Sequence, residues 1–283
     1  MSSILTIAAY GLREALRRKV FVVVLLLTAA FLGLFWLANH FLFENLANVG
    51  PPVGVDAKTF AGATIFGLAM FGTLFLGVVL AIFLTLGVVS GDAERGLLQP
   101  LIVRPVGRMT LLVARWLGAV AVCAPYVGAV YVATMLITGL TGHWWPDHLV
   151  VPGLELAAGV AVVAALSLLG SVFLTSTANG IAIFMIFGAG LVAGLVGTIG
   201  HGLNSHQLEH GAKIAAWLLP FEALYQDGLR ELTSKTTGLT GFLLELGPFG
   251  GAYTGGLTLR LWALAYLLII GALAAIGFTR RDL

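Results

Sequence analysis

Charge is scarce in this chain. Charged residues make up 10% of its 283 positions, whereas hydrophobic residues make up 59%. A soluble globular domain carries about a quarter charged residues and about half apolar ones. A chain of this length can bury a core without lipid, so the apolar excess does not follow from small size. The composition excludes an ordinary soluble domain and indicates a membrane protein.

Several chemical signatures are missing as well. The single cysteine, Cys123, cannot form a disulfide within the chain, so the redox compartment cannot be read from it. The sequence has no G-x-x-x-x-G-K-[ST] phosphate loop, no H-E-x-x-H motif and no serine or cysteine nucleophile constellation. We therefore expect a non-catalytic chain with no cofactor of its own, and no nucleic-acid partner.

Ionisable side chains are almost absent from the middle of the apolar runs. Arg115 and Glu155 fall near run ends, where long side chains can reach water. Ion-coupled carriers usually keep charged groups within their spans, because such groups are costly in lipid and are retained for function. The pattern argues against such a carrier and against a channel with a charged filter. It favours a path for lipid-like or amphipathic molecules.

Six apolar runs are long enough to cross a bilayer, which takes about 20 residues. They cover residues 20–37, 62–89, 109–140, 153–175, 180–200 and 261–278. Two shorter apolar pieces, 214–219 and 239–246, lie in a segment interrupted by glycine and proline. We predict an all-α polytopic membrane protein with one transmembrane domain over residues 1–283, in which segment 201–256 is extracytoplasmic and forms short or re-entrant helices.

Basic residues orient these spans. With a cytoplasmic N-terminus, ten of the 15 basic residues lie inside and five lie outside, as the positive-inside rule requires. Both termini are then cytoplasmic, since the number of spans is even. We expect a multi-pass protein of a bacterial or archaeal plasma membrane. The inside set is Arg13, Arg17, Arg18, Lys19, Arg95, Arg104, Arg108, Arg115, Arg280 and Arg281, and the outside set is Lys58, Lys213, Arg230, Lys235 and Arg260.

The first nineteen residues have the pattern of an amphipathic helix. Ile4, Ile7 and Leu12 share one helical face, and basic side chains lie opposite. Such a helix lies in the plane of the interface. It serves either as a topology signal that meets anionic headgroups or as an elbow that carries motion from an intracellular partner. The basic residues of this predicted elbow helix are Arg13, Arg17, Arg18 and Lys19.

A charged hairpin over residues 90–108 joins the second and third spans. Leu97 and Leu101, like Leu98 and Ile102, are four residues apart and share one face of a short helix. Pro105 ends that helix, because proline disfavours helical backbone in the residue before it. An apolar face on a short cytoplasmic helix must be covered. Either the chain's own spans or lipid cover it, or it inserts into a groove of a soluble partner.

The hairpin also carries a family resemblance. Glu94-Arg95-Gly96-x-Leu98, Arg104-Pro105-Val106-x-Arg108, Leu111-Leu112 and Arg115-x-Leu117-Gly118 resemble the permease subunits of ABC transporters of the ABC-2 type. The basic N-terminus and the last six residues, 278–283, are similar to the ends of that family. This chain has Gly107 where serine is usual, and Ala114-Arg115 where Gly-Lys is usual.

The resemblance implies that the hairpin is a coupling helix seated on a separate ABC ATPase. Two ATPase subunits, which bind ATP and magnesium, would work with two permease chains as a homodimer. An alternative within the family is mechanical action on an extracytoplasmic accessory protein, since the permease of nitrous-oxide-reductase maturation systems has a similar layout. An ATP-independent membrane carrier is the alternative outside it. The predicted docking residues are Glu94, Arg95, Gly96, Leu97, Leu98, Leu101 and Arg104.

Three further patterns are weaker. His206, Glu209 and His210 share one helical face and are weak candidate metal ligands. We expect a wet polar loop outside the membrane there and no bound metal. Gly190-x-x-x-Gly194 favours close packing of the fifth span against another helix. The aromatic residues Tyr131, Trp144 and Trp145 have the positions of interface anchors at span ends.

Overall fold

The computed structural model describes residues 19–48, 54–86, 108–203, 205–246 and 255–279. Within these ranges the chain is entirely helical apart from turns, so the predicted all-α class is confirmed. The helices are α1 (Lys19–Asn48), α2 (Ala57–Thr85), α3 (Arg108–Gly142), α4 (Val151–Phe173), α5 (Ser176–Gly202), α6 (His206–Leu218), α7 (Pro220–Glu231), α8 (Gly238–Leu246) and α9 (Gly256–Thr279).

Six of these helices are long and apolar enough to cross a membrane, namely α1 to α5 and α9. They correspond one to one to the six predicted spans. The first span is longer than the prediction, because the polar pair at residues 39 and 40 does not end it. The Asn39 amide donates to the Phe35 carbonyl one turn earlier, 2.9 Å away. The apolar face then continues through Phe41 and Leu42.

Helices α2 and α4 form the centre of the bundle. In the most apolar stretch of each, 72% of α2 and 67% of α4 is buried, compared with 17% of α1, 17% of α5 and 22% of α9. Small residues let the central helices approach closely. Gly77 of α2, for example, lies directly against the side chains of Val127 and Val160. The outer helices therefore present large apolar side chains to the surroundings.

The spans alternate in direction, so the connections gather at two ends. We call the end with residues 143–150 and 203–255 the loop end, and the other the opposite end. At the loop end the Asp147 amide donates to the Leu232 carbonyl at 3.0 Å, and the Asp56 amide donates to the Thr240 hydroxyl at 2.9 Å. At the opposite end the Thr85 hydroxyl bonds to Ser167 at 2.7 Å.

Helices α6 and α7 form a hairpin that turns back into the bundle. Gly200 and Gly197 of α5 face Leu208 and Ala212 of α6, so α6 runs inward beside α5. Helix α7 then returns along α4, with Phe221 near Gly159 and Gly228 near Pro152. Eight residues of α4 separate Val151 from Gly159, so at 1.5 Å per residue the hairpin enters the bundle by about 12 Å.

Two of the three expected interface aromatics belong to the core. Tyr131 is 3% exposed and Trp144 is 8% exposed, and both rings contact Phe66. The positive φ of His143, 48°, turns the chain so that the Trp144 ring covers Gly62. The interface prediction is therefore wrong for Tyr131 and Trp144, while Trp145 remains 46% exposed.

Both predicted cytoplasmic elements fall largely outside the described residues. Arg13, Arg17 and Arg18 precede the first described helix, and Lys19 is its first residue. The docking residues Glu94, Arg95, Gly96, Leu97, Leu98, Leu101 and Arg104 all lie between α2 and α3, outside the described ranges. Their proposed contacts stay predictions.

Candidate functional site

A charged network at the loop end joins two spans to the α6–α7 hairpin. Arg260, in the second turn of α9, donates from Nη2 and Nε to Oε1 of Glu155 on α4, at 2.8 and 3.0 Å. Its Nη2 also lies 3.7 Å from Oδ2 of Asp227 and 3.9 Å from Oε1 of Glu231, both on α7. One guanidinium thus faces three carboxyl groups on two other helices.

Asp227 also binds the start of α9. Its Oδ1 accepts from the Gly255 amide at 3.0 Å, and its Oδ2 accepts from the Gly256 amide at 3.2 Å. These amides have no partner within the helix, since no helical carbonyl lies one turn before them. A carboxylate is favourable there, because it faces the positive end of the helix dipole. Asp227 therefore fixes where α9 begins.

The sequence analysis did not find this network. It placed Glu155 near a span end with access to water, but Glu155 is 3% exposed and pairs with Arg260. The access prediction is wrong because α7 covers this end of α4. We also expected spans with almost no charged residue in the middle. The last span begins earlier than predicted, at Gly256, and its second turn contains the charged residue Arg260. The partners are more than a hundred residues apart, so no local pattern shows the pairing.

A cavity of about 440 Å³ lies beside the network. Helices α5, α6 and α7 and the start of α9 form its walls. Small side chains on α5 and α6 open the space, among them Gly194, Gly197 and Ala212. Its volume lies in the range of about 300–1,000 Å³ that is usual for small-molecule sites. The polar groups in its wall determine which molecules this cavity can bind.

Two of those groups are the paired side chains of Glu222 and Gln226, one turn apart on α7. The Gln226 amide donates to Oε1 of Glu222 at 2.9 Å. Glu222 is 3% exposed and Gln226 is 5% exposed. Oε2 of Glu222 and Oε1 of Gln226 have no hydrogen-bond partner among the described residues. Burial raises the pKa of Glu222 to about 8, although the Gln226 hydrogen bond opposes the shift.

The Gly190-x-x-x-Gly194 pattern is explained by this arrangement. A Cβ atom at Gly190 would meet the Phe221 ring, and one at Gly194 would meet the Glu222 carboxyl group. The two glycines let α7 lie directly on α5, as the predicted close helix packing requires. They also hold the carboxyl group of Glu222 at the cavity wall.

A comparison with models of known protein families identifies the family of this chain. A family model described as ABC-2 family transporter protein matches residues 5–283 of this chain. The chain belongs to the ABC-2 transporter family. It is a multi-pass membrane permease, as its six apolar helices also indicate. A comparison with curated proteins gave no match.

The described residues of this ABC-2 permease do not bring the histidine cluster together as a set of metal ligands. His206, Glu209 and His210 lie in the first turns of α6, where both histidines are exposed. Within the described ranges, no group of three or more histidine, cysteine, aspartate or glutamate side chains is placed to hold a metal ion. Glu209 instead lines the 440 Å³ cavity.

A second cavity, of about 520 Å³, lies toward the opposite end of the permease between α3, α4 and α9. Apolar side chains such as Leu112, Leu168 and Leu268 line it. The indole N–H of Trp116, also in this wall, donates to the Ala161 carbonyl at 3.1 Å. The wall therefore offers an apolar surface suited to a hydrocarbon chain.

Proposed function

We propose that this permease is the transmembrane subunit of an ATP-driven exporter of lipid-like or amphipathic cargo. The observation that carries the proposal is the family match over residues 5–283. The sequence has no phosphate loop, so ATP binds to a separate ATPase subunit. Two permease chains and two ATPases form the working unit in the plasma membrane, with both permease termini in the cytoplasm.

The ATPase docks on the hairpin between α2 and α3. Glu94, Arg95 and Arg104 supply charge, and Leu97, Leu98 and Leu101 supply an apolar face. The elbow helix with Arg13, Arg17, Arg18 and Lys19 lies in the plane of the membrane interface. ATP-driven closure of the ATPases pushes both elements and switches access through the membrane domain.

Two features support amphipathic cargo. The cavity between α3, α4 and α9 is lined by apolar side chains, and the cavity at the loop end carries buried oxygen acceptors. An exporter of lipid-like molecules has to accommodate an apolar tail and a polar head. The Glu155–Arg260 contact joins α4 to α9, two of the spans that line these cavities.

Mechanical action on an extracytoplasmic partner is the second candidate, and the charged network favours it. Arg260 connects spans α4 and α9 to α7, so a shift of these spans is transmitted to the loop end. His148, in the connection between α3 and α4, lies 3.3 Å from Glu231 and extends the network toward the surface. A protein docked at the loop end would be displaced by that shift.

The test is purification of the tagged permease from native membranes in mild detergent, with mass spectrometry of its partners. We expect a stoichiometric ATPase that carries a phosphate loop. Leu98→Asp should reduce its recovery, because docking would bury an unpaired charge. Glu94→Lys should keep the complex but lower the stimulation of ATP hydrolysis by cargo.

Glu44→Gln, an exposed change on α1, is the matched control and should alter neither result. Recovery of the permease without any ATPase would contradict the proposal and favour the ATP-independent carrier. Co-purification of a stoichiometric extracytoplasmic protein, with no cargo transport, would favour the mechanical role.

A further inference from the structure

We propose that the cavity between α5, α6, α7 and α9 binds the primary ammonium head of an amphipathic amine, with Glu222 and Gln226 as its acceptors. The inference deepens the proposed function by naming the chemistry of a bound molecule. It does not depend on an ATPase partner, because binding to the isolated permease tests it.

Two oxygen atoms of the residues that line the cavity lack a hydrogen-bond partner, and their chemistry indicates which group would bind there. Oε2 of Glu222 and Oε1 of Gln226 are both oxygen acceptors, both buried, and both without a donor in the described structure. Leaving such a group unpaired is costly, and buried polar atoms are almost always hydrogen-bonded. Once Glu222 has lost its proton, the group missing from the cavity is a donor. A primary ammonium has three N–H donors and no acceptor.

Charge distinguishes an ammonium from a neutral hydroxyl group. Glu222 and Glu209 contribute two carboxyl groups to the wall, and Lys213 contributes one amine. Burial raises the pKa of Glu222 to about 8, so the empty cavity holds this carboxyl group protonated near neutral pH, and a bound cation would take the place of that proton. An alkylammonium ion remains protonated near neutral pH, since a lysine-like amine has a pKa of about 10.4.

The remaining wall fits the apolar part of the same molecule. Trp217, Ala216 and Leu259 also line the cavity, together with the hydroxyl-bearing side chain of Thr258 on α9. The volume of about 440 Å³ is many times the roughly 10–15 Å³ that one water needs. Space, apolar wall and clustered acceptors together match a molecule with a cationic head and a short hydrocarbon body.

A metal cation fits this wall less well. The described residues hold no group of three or more candidate ligands in one place, and the two unpaired atoms are a single carboxylate oxygen and a single amide oxygen. Calcium takes six to eight oxygen ligands, and magnesium requires a near-octahedral set. Two hydrogen-bond acceptors are instead sufficient to orient an ammonium group.

The test uses purified permease in lipid nanodiscs without any ATPase. Three probes of equal chain length are titrated by calorimetry: n-hexylamine, hexan-1-ol and hexyltrimethylammonium. We expect saturable binding of n-hexylamine and at least tenfold weaker binding of the other two. Hexan-1-ol lacks the charge, and hexyltrimethylammonium lacks the N–H donors.

Two variants locate the site. Glu222→Gln should weaken n-hexylamine binding at least tenfold, and Ala216→Leu should do so by filling space while leaving the carboxyl group in place. Glu44→Gln, the same chemical change at an exposed position on α1, should bind as the parent does. Each variant is first checked for monodisperse elution and an unchanged thermal transition. Ala216→Leu keeps the test valid if Glu222→Gln fails to fold.

Three results would overturn the inference. Equal affinity for hexan-1-ol would show that charge is not recognised, and unchanged binding in both Glu222→Gln and Ala216→Leu would show that the amine binds elsewhere. Absence of saturable binding would show that the cavity is not a site for an alkylammonium ion. None of these results bears on whether an ATPase co-purifies, so the proposed function is judged separately.

Discussion

Gly77 shows how little space separates the central helices. A Cβ atom built there would lie 2.6 Å from a methyl group of Val127 and 2.9 Å from one of Val160. Both valines are fully buried, and their β-branched side chains have few alternative rotamers. We expect Gly77→Ala to destabilise the permease by about 1–3 kcal/mol, the usual cost of overpacking. Thermal unfolding in detergent measures the change.

The control for this prediction is Gly188→Ala, on α5. No neighbouring atom lies within 4 Å of a Cβ atom there. Alanine in place of a helical glycine is favourable by about 0.5–1 kcal/mol when space allows. The two substitutions should therefore move the transition in opposite directions. A loss at Gly188 equal to that at Gly77 would mean that helix packing is not the cause.

Glu222 gives a pH dependence with a definite sign. Burial raises its pKa from 4.5 to about 8, so the folded protein keeps a proton that the unfolded chain releases. The contribution of this group to stability is complete below about pH 4.5 and is lost as the pH rises toward 8. Stability falls with pH wherever the folded state binds more protons.

Glu222→Gln should remove this dependence. We expect the parent permease to lose thermal stability relative to Glu222→Gln between pH 5 and pH 8, and the difference to level off above that window. The comparison of two proteins cancels the titration of groups that they share. A constant difference from pH 5 to pH 8 would show that Glu222 titrates normally and is not buried as described.

At the scale of helices, Arg260 is the contact that unites α4, α7 and α9. Arg260→Met leaves Glu155 and Asp227, 3% and 4% exposed, without their cation. Loss of one partner from a fully buried pair costs about 3–5 kcal/mol. The guanidinium side chain is 40% exposed, so solvent screening reduces the effect to about 2 kcal/mol.

A double-mutant cycle separates this contact from general damage. Glu155→Gln in the Arg260→Met background removes the unpaired buried charge and should recover part of the lost stability. The coupling is read from the thermal transitions of the four proteins. Simple addition of the two single effects would show that the Glu155–Arg260 contact contributes nothing of its own.

The burial of helix α7 could not be predicted from the hydropathy of the sequence. The six spans follow from apolar runs of about 20 residues, because lipid accepts little else. Helix α7 contains Glu222, Gln226 and Asp227, and its first ten residues are nevertheless all buried. A hydropathy pattern treats such a helix as a surface element. Only Pro220 at its start and the recurrence of Phe221, Leu224 and Tyr225 on one face point to it.

The charged network and the cavity at the loop end could not be predicted from the sequence for a related reason. Buried charges are tolerated when partners meet them in space, and Glu155 and Arg260 are 105 residues apart in sequence. The single local signal was Gly190-x-x-x-Gly194, which predicted close packing but not the partner helix. Family motifs, by contrast, were concentrated in the hairpin between α2 and α3, so the family was recognisable while the loop-end cavity was not.

At the scale of the whole molecule, sidedness remains a prediction from charge. The topology predicted from the sequence assigns ten basic residues to the side of the two termini and five to the other side. The positive-inside rule places the ten in the cytoplasm. The loop end, with the α6–α7 hairpin and both polar features, is then extracytoplasmic. This placement is what makes the loop-end cavity a candidate for cargo on its way out.

Cysteine labelling tests the orientation directly. The native Cys123 is 1% exposed and burial raises the barrier to its reaction, so it is replaced by serine only as a precaution. Lys235→Cys reports on the loop end, where the native side chain is exposed and only the backbone amide binds Asp147, at 2.8 Å. Thr175→Cys, in the exposed turn between α4 and α5, reports on the opposite end.

We expect a membrane-impermeant maleimide to label Lys235→Cys in right-side-out vesicles, and to label Thr175→Cys only after permeabilisation. The inverse pattern would place the loop end in the cytoplasm and would also remove the hairpin between α2 and α3 from reach of a cytoplasmic ATPase. Labelling of both positions before permeabilisation would mean leaky vesicles, which a cytoplasmic marker enzyme detects. The two positions thus decide the orientation on which ATPase docking and cargo exit both depend.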